Sequence, residues 1–275
     1  MTDALFAILA SAAPLAFAGL GALATEHAGV LAVFMDGAIT LAGLLCVLVA
    51  CWTGQPALGF LAAAVALPFL LALVAIFTER FRANPFITGL AANLAFGALS
   101  ATLSLAAFGT KGVVSLSERG VDVSFPRNLF FPAALAAAFG LAFVLKRTPF
   151  GLRLRASGPD PDALRARGLD PARYRVASWA IAGFAAACSG AILAFGLGAF
   201  VPNMSAGRGW TALAAVYLGY RRPLPILAAS VLFAACDYAT TVLQGVGAVP
   251  STVILGLPYA LALIVFLAIP NHSGK

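Results

Sequence analysis

The sequence predicts an all-α protein, a polytopic transmembrane helical bundle, and its composition carries much of this prediction. Apolar residues make up 62% of the chain and charged residues 10%, and the mean hydropathy is +0.99. Ordinary globular chains carry about 25% charged residues, so the sequence does not describe a soluble domain. A helix needs about 20 apolar residues to cross the hydrocarbon of a bilayer. The chain therefore has room for about nine hydrophobic passages, in a single transmembrane domain over residues 1–275.

Besides the composition and the length of the apolar runs, the chain has one long polar stretch, residues 146–175, which we call the basic segment. It holds eight of the 17 Lys and Arg residues and only three acids. An excess of Lys and Arg beside spanning helices marks the cytoplasmic side of a membrane. The basic segment is therefore expected in the cytoplasm. This topology also explains the pI of 9.7, and a nucleic-acid partner is not indicated.

The predicted passages follow the apolar runs. They cover residues 4–24, 28–51, 57–78, 86–108, 128–145, 176–200, 210–220, 224–243 and 251–269. The second contains Met35-Asp36-Gly37, so we expect it to be broken or to face the protein interior. The seventh is short, which indicates a tilted or a discontinuous helix. Alternation places the C-terminus in the cytoplasm and, by parity, the N-terminus outside.

The basic segment has helix signals of its own. Pro159-Asp160-Pro161 starts a predicted short helix over 162–167, which Gly168 ends, and Asp170-Pro171 makes a second start. Two short cytoplasmic helices between spans would form a rigid docking surface. The alternative is a solvated loop that sets topology and contacts anionic lipid. The residue types alone leave both interpretations open.

The sequence lacks the residues of several catalytic sites. It has no GxxxxGK[ST] phosphate loop, and its histidines are His27 and His272. ATP hydrolysis by that route, a histidine metal site and a Ser-His-Asp triad are therefore not expected. The chain is predicted to be a non-catalytic subunit with no cofactor of its own. Its four cysteines lie in apolar runs without a CxxC pair, which indicates packing residues.

Polar residues inside the apolar passages are candidates for the lining of a solute pathway. They are Asp36, Asn93, Asn203 and Asp237, with Trp210 as an aromatic wall. A buried polar group in a membrane protein is costly unless it has a role or a partner. For Trp210 the position favours an interfacial anchor over an aromatic wall.

Each polar candidate also has a structural alternative. Asp36, beside Gly37, suits the cap of a broken helix, and Asn93 suits a hydrogen bond to a neighbouring helix. Asp237 needs solvent, a proton or an ion pair, for which Arg208 and Arg221 are candidates. The sequence does not decide between these roles and solute contact.

Five segments, in order along the chain, resemble bacterial ABC importer permeases of the branched-chain amino acid, ribose and nucleoside group. TPFGLRLRASGPDPDALRARGLDPARYR is similar to the group's cytoplasmic coupling motif, GxxxRAxGxxPxAAxxxGI. GRGWTALAAVYLG resembles GxGxxALAAVxLG, and LPYALALIVFLA resembles a C-terminal LPYLLTL-type helix. Upstream, PLAFAGLGALATEHAGVLAVFMDGAITLAG and RANPFITGLAANLAFGALSA are similar to two N-terminal segments. The nucleoside-type permeases fit best.

The resemblance implies a function and a set of partners. The chain would be the permease subunit of an importer for nucleosides or a related small polar solute in the bacterial inner membrane. It would form a heterodimer with a second permease and work with an ATPase that carries ATP-Mg and with an extracytoplasmic substrate-binding protein. The residues that match the coupling motif would dock the ATPase: Gly151, Arg155, Gly158, Pro161, Ala163 and Gly168.

The sequence departs from the group's pattern around Asp36, where the group usually has Glu. Phe34 and Ala38 replace smaller or Met-type neighbours, so the solute stays open. Two other function classes remain. One is a channel or secondary carrier that works without ATP, and the other is a membrane scaffold with no pathway.

Overall fold

The computed structural model describes residues 2–123 and 129–246, which are almost entirely helical. The helices are α1 (Thr2–His27), α2 (Met35–Thr53), α3 (Pro56–Arg80), α4 (Pro85–Phe108), α5 (Phe130–Arg147), α6 (Pro149–Ser157), α7 (Pro161–Ala166), α8 (Pro171–Leu197), α9 (Arg208–Leu218) and α10 (Pro223–Val246). Two-residue strands, β1 (Val114–Ser115) and β2 (Ala199–Phe200), pair antiparallel.

Seven of the described helices, α1 to α5, α8 and α10, are long and apolar enough to cross a membrane. The all-α transmembrane prediction is confirmed, and the predicted boundaries of these spans lie within about five residues of the observed ones, except that α2 begins at Met35 and not at residue 28. The ninth predicted passage, residues 251–269, lies outside the described residues.

Two non-helical segments interrupt the bundle, and each leads into a helix start. Residues 28–34 precede α2, and residues 201–207 precede α9. In the first, Val30 and residues 32–34 are buried. Irregular backbone at membrane depth is tolerated where protein covers it. The predicted break in the second passage is therefore confirmed, and it lies before Met35. The seventh passage is a short helix, α9.

Helix α8 forms the centre of the bundle and packs against α1, α2 and α3. Small residues permit this close packing. A Cβ on Gly183 would lie 2.7 Å from the α3 backbone at Leu67, and a Cβ on Gly190 would lie 2.6 Å from the α2 backbone at Ile39. In membranes, such contacts stabilise helix pairs through van der Waals packing. Stacking of Phe34 on Trp179, with 4.3 Å between ring centroids, fixes the start of α2 against α8.

Contacts between distant residues define the two ends of the bundle. At one end, which we call the basic end because it carries the basic segment, Glu79 at the end of α3 pairs with Arg175 near the start of α8. Gly29, which follows α1, lies against Gly158 at the same end. At the opposite end the strand pair joins the chain after α4 to the chain after α8. The helices therefore alternate in direction, as membrane spans must.

The basic segment differs from its prediction in one respect. Helix α7 (Pro161–Ala166) was predicted to within one residue, and Asp160 caps it by accepting from Ala163 N at 3.0 Å. The predicted second start, capped by Asp170, begins α8 itself and not a separate short helix. The prediction of a second short helix there is wrong, because nothing after Pro171 breaks the Ala-rich run. The second short helix is instead α6, where Thr148 accepts from Gly151 N at 3.1 Å.

Candidate functional site

Asp36 lies where the starts of two helices meet. It belongs to the first turn of α2, and its Oδ1 accepts hydrogen bonds from Ser205 Oγ and from Gly209 N, the latter at 3.1 Å. Gly209 lies in the first turn of α9, where backbone N–H groups lack partners within the helix. A Cβ on Gly209 would lie 2.6 Å from Asp36 Cα, so glycine lets the two backbones meet. Asp36 therefore acts as a cap, and the helix it caps is α9.

Asn93 holds the start of α2 from the opposite side. Its Oδ1 accepts from Gly37 N at 2.6 Å, and a side chain on Gly37 would collide with the α4 backbone at Asn93. The interhelical role considered for Asn93 is thus present. Because Asp36 and Asn93 are both only half-buried, each also presents part of its side chain to open space.

That space is a cavity of about 420 Å³. Polar groups and apolar side chains both line it. The lining residues are Asp36, Gly37, Thr40, Asn93, Leu94, Gly97, Ala98, Ser100, Ala101, Lys111, Phe200, Pro202 and Asn203. Its volume falls within the about 300–1,000 Å³ of typical small-molecule sites. A carboxylate, two amides, two hydroxyls and one ammonium group can bind a polar solute beside an apolar wall.

The cavity brings together three of the five predicted pathway residues. Asp36, Asn93 and Asn203 line it, whereas Trp210 and Asp237 do not. Trp210 is 46% exposed in the first turn of α9. Asp237 lies on α10, and within the described part of the chain it makes no ion pair with either proposed arginine. Arg221 pairs with Glu26 at 2.6 Å, and Arg208 donates to the carbonyls of Met204 and Ser205.

Three polar lining residues, Thr40, Ser100 and Lys111, were not among the predicted pathway residues, although the sequence held a signal for the first two. Thr40 lies four residues after Asp36, and Ser100 lies seven after Asn93, so each shares a helix face with the residue already chosen. Lys111 lies in the loop after α4 and reaches the cavity only because the strand pair folds that loop over the opening. No local pattern indicates that contact.

The six predicted docking residues divide into two groups. Arg155, Ala163 and Gly168 are exposed on the basic segment, and Pro161 is partly exposed. Gly151 and Gly158 instead contact the protein interior. A Cβ on Gly151 would lie 2.5 Å from Leu145 Cα of α5, and a Cβ on Gly158 would lie 2.7 Å from Gly29 N. These two glycines hold α6 against the bundle.

Arg175 adds a polar contact to the same region. Its guanidinium donates to Glu79 Oε1 and to Ser157 O, both at 3.3 Å. Ser157 is the last residue of α6. One side chain therefore joins the ends of α3 and α6 to the start of α8, and it keeps α6 in a defined position at the basic end.

The two residues near Asp36 that differ from the pattern of the permease group do not line the cavity. Phe34 and Ala38 are fully buried, and neither belongs to its lining. They shape the packing of α2. Within the described residues, no three His, Cys, Asp or Glu side chains are grouped as metal ligands would be.

Comparisons with known proteins identify the family. The family described as branched-chain amino acid transport system / permease component matches residues 4–269. The chain is 28% identical to the nucleoside ABC transporter permease protein NupC of Lactococcus lactis, over 92% of this chain and 87% of that protein. It is 28% identical to the guanosine ABC transporter permease protein NupQ of Bacillus subtilis, over 98% and 91% of the two chains. It is also 29% identical to a putative glucose ABC transporter permease protein, TsgC13, of Haloferax volcanii, over 84% and 74%.

No solved structure matches. Because the family match covers nearly the whole chain, this protein belongs to the branched-chain amino acid transport system permease family.

Proposed function

We propose that the chain is the transmembrane permease subunit of an ABC importer that moves nucleosides or a related small polar solute across the inner membrane. The observation that carries the proposal is the cavity at the meeting of the α2 and α9 starts, lined by Asp36, Asn93 and Asn203. Discontinuous helices in transporters commonly place solute sites at such starts, at membrane depth. Two relatives, named as nucleoside and guanosine permeases, supply the solute class.

The cavity chemistry suits an uncharged solute with a polar part and an apolar ring. Thr40, Ser100 and the Asn203 amide offer neutral hydrogen-bonding groups, and Leu94 and Phe200 supply apolar surface. The lining carries one carboxylate and one ammonium group, so its net charge does not select a strongly charged solute. A nucleoside has hydroxyls on one side and a flat base on the other, which matches this division.

A short chain of contacts connects the basic segment to the cavity. Gly158 at the end of α6 touches Gly29 backbone to backbone. Gly29 is the second residue of the non-helical segment 28–34, which leads directly into α2 and Asp36. A displacement of α6 would therefore reach the cavity through the irregular backbone of residues 29–34. ATP can drive this change only if it binds one conformation of the assembly better than the other.

The exposed part of the basic segment is the proposed docking surface for a partner ATPase, which carries ATP-Mg. Arg155, Ala163 and Gly168 are open to contact there, and α6 and α7 are held by caps and by Arg175. The other proposed partners are a second permease, as a heterodimer, and an extracytoplasmic substrate-binding protein. The basic end then lies in the cytoplasm. The C-terminus, which lies outside the described residues, is proposed to be cytoplasmic as well, from the predicted passage 251–269.

The direct test is uptake by the reconstituted assembly. The chain, its partner permease and the ATPase are placed in liposomes with the binding protein outside and ATP inside. We expect labelled nucleosides to accumulate only with ATP, and glucose to accumulate less. A control assembly has residues 162–167 replaced by a Gly/Ser linker and should insert normally but fail to retain the ATPase. Equal transport without ATP would instead indicate a channel or secondary carrier.

A further inference from the structure

A second cavity lies at the basic end, outside the proposed pathway. It has a volume of about 470 Å³ and is lined by His27, Ala142, Leu145, Lys146, Arg155, Tyr220, Arg221, Arg222 and Pro223. A neighbouring cavity of about 570 Å³ shares His27, Arg155 and Arg221 with it. The cavity of about 470 Å³ forms where the ends of α1, α5 and α6 meet the connection between α9 and α10. We call it the basic cavity.

The basic cavity collects positive charge that the protein does not neutralise. Four cationic side chains line the basic cavity. Among the described residues, one of these four has an ion-pair partner: Arg221, which pairs with Glu26. That carboxylate is 7% exposed and also accepts from Tyr217, so it is already engaged. Lys146, Arg155 and Arg222 line the cavity, and in the part of the chain that the structure describes no acid lies within ion-pair distance of them. Like charges brought together in a partly enclosed space favour a bound anion.

The shape of the cavity adds a second constraint. Its lining also has an apolar part, which consists of Ala142, Leu145 and Pro223, and the last two are buried whereas the cations are exposed. Two of the cations are arginines outside any ion pair, and the planar guanidinium matches the oxygens of a phosphate group. The lysine adds a point charge. An apolar wall beside such a cluster suits a phosphate attached to an organic group.

From these observations we propose that the basic cavity binds a phosphate group on the cytoplasmic side of the membrane. The phosphate belongs either to the headgroup of an anionic lipid or to a soluble phosphate compound. A bound phosphate would join Lys146 at the end of α5 to Arg222 before α10. The chain beside Arg222 is strained, since Tyr220 and Arg221 have φ values of +50° and +54°. The ligand would therefore stabilise the α9–α10 connection and, through α9, the helix start that contacts Asp36 beside the solute cavity.

The test removes two charges from the cavity and two from a matched site. The cavity variant is K146Q/R222Q, which leaves the proposed docking residues intact. The control variant is R147Q/R173Q, because both of these arginines are exposed, neither lines the basic cavity and neither belongs to the proposed docking residues. Full-length assemblies of the wild type and of each variant are purified in a neutral detergent. Folding of each is checked by its unfolding midpoint before binding is measured.

Two probes distinguish the sources of the phosphate. Phosphatidylglycerol is titrated and its retention counted by native mass spectrometry, and inorganic pyrophosphate is titrated in lipid-free detergent by calorimetry. We expect the cavity variant to bind at least one probe about 30-fold more weakly, since each surface cation contributes about one factor of five. The control should bind as the wild type does. Loss for the lipid alone assigns a headgroup site, and loss for pyrophosphate assigns a soluble ligand.

Two results would overturn the proposal. One is equal binding of both probes by the two variants, including no binding by either, which would leave the cavity as a charged surface only. The other is unchanged probe binding together with loss of the ATPase from the cavity variant. That outcome would assign the cations to an acidic protein surface.

Discussion

A single carboxylate joins the two discontinuous parts of this membrane protein. Asp36 belongs to α2, but its hydrogen-bond donors, Ser205 and Gly209, lie more than 160 residues away at the start of α9. Hydrogen bonds to an ionised group contribute about 1.5–3 kcal/mol. The half-buried carboxylate is therefore stabilised by a helix start and also remains available to the cavity. The two roles considered from the sequence are compatible at this residue.

Replacement of Asp36 by Asn separates these roles. Asn keeps a side-chain oxygen that can accept from Ser205 and Gly209, but it removes the negative charge. We expect D36N to keep its unfolding midpoint and to lose about tenfold in nucleoside uptake, and D36A to lose about 1–3 kcal/mol of stability as well. D122N, at an exposed carboxylate, is the matched control. Full uptake by D36N would show that the charge does not act on the solute.

Arg175 offers a second test at the residue scale. Its side chain is 25% exposed and that of its partner, Glu79, 24%, so water only partly screens the pair. R175Q would lose the ion pair and the bond to Ser157 O, and we expect a destabilisation of about 1–3 kcal/mol, measured by chemical or thermal unfolding. R173Q should change stability by less than about 0.5 kcal/mol, because Arg173 is 83% exposed. Equal effects of the two substitutions would contradict this role.

At the scale of elements, local signals predicted most of the fold. A short polar residue followed by proline marks the starts of α4, α7 and α8, at Asn84, Asp160 and Asp170. The length of the apolar runs predicts the spans.

The cavity was harder to predict from the sequence, because it depends on contacts between distant helices. Asp36 and Asn93 were recognised as polar residues in apolar runs, whereas Lys111 enters through the strand pair, which two residues per strand do not reveal. Helix α6 was missed although Thr148-Pro149 carries the same start signal, because its polar composition resembles that of a loop.

The contact between α6 and the segment before α2 can be tested by adding one methyl group at Gly158. A Cβ on Gly158 would lie 2.7 Å from Gly29 N and 2.8 Å from His27 O, so G158A must shift α6 or the start of that segment. We expect G158A to retain the ATPase but to lose about fivefold in ATP-driven uptake, equivalent to about 1 kcal/mol of coupling. The measurement is uptake per ATP hydrolysed.

The matched control for G158A is G140A. A Cβ on Gly140 would meet nothing within 4 Å, and Gly140 lies inside α5, where alanine favours the helix. G140A should therefore transport as the wild type does. Normal uptake per ATP by G158A would remove the proposed connection between α6 and the cavity.

The whole molecule places two similar units in opposite directions. In the first, α1 ends at the basic end, a buried irregular segment follows, and α2 runs toward the opposite end. In the second, α8 ends at that opposite end, residues 201–207 follow, and α9 runs toward the basic end. Helices α2 and α9 therefore begin near each other inside the bundle. This arrangement was not evident from the sequence, since the two units share geometry without a clear repeat of residues.

The orientation of the whole bundle leads to the last prediction. If an ATPase docks on the basic segment, exposed Arg167 must lie in the cytoplasm, and exposed Glu118, beyond α4, must lie outside. In intact cells we expect a membrane-impermeant maleimide to label E118C, and to label R167C only after permeabilisation. The wild type, with four free cysteines, measures the background. Along the chain, one spanning helix, α5, lies between the two positions. The reverse pattern would place the basic segment away from ATP and would exclude the proposed coupling, even with the cavity unchanged.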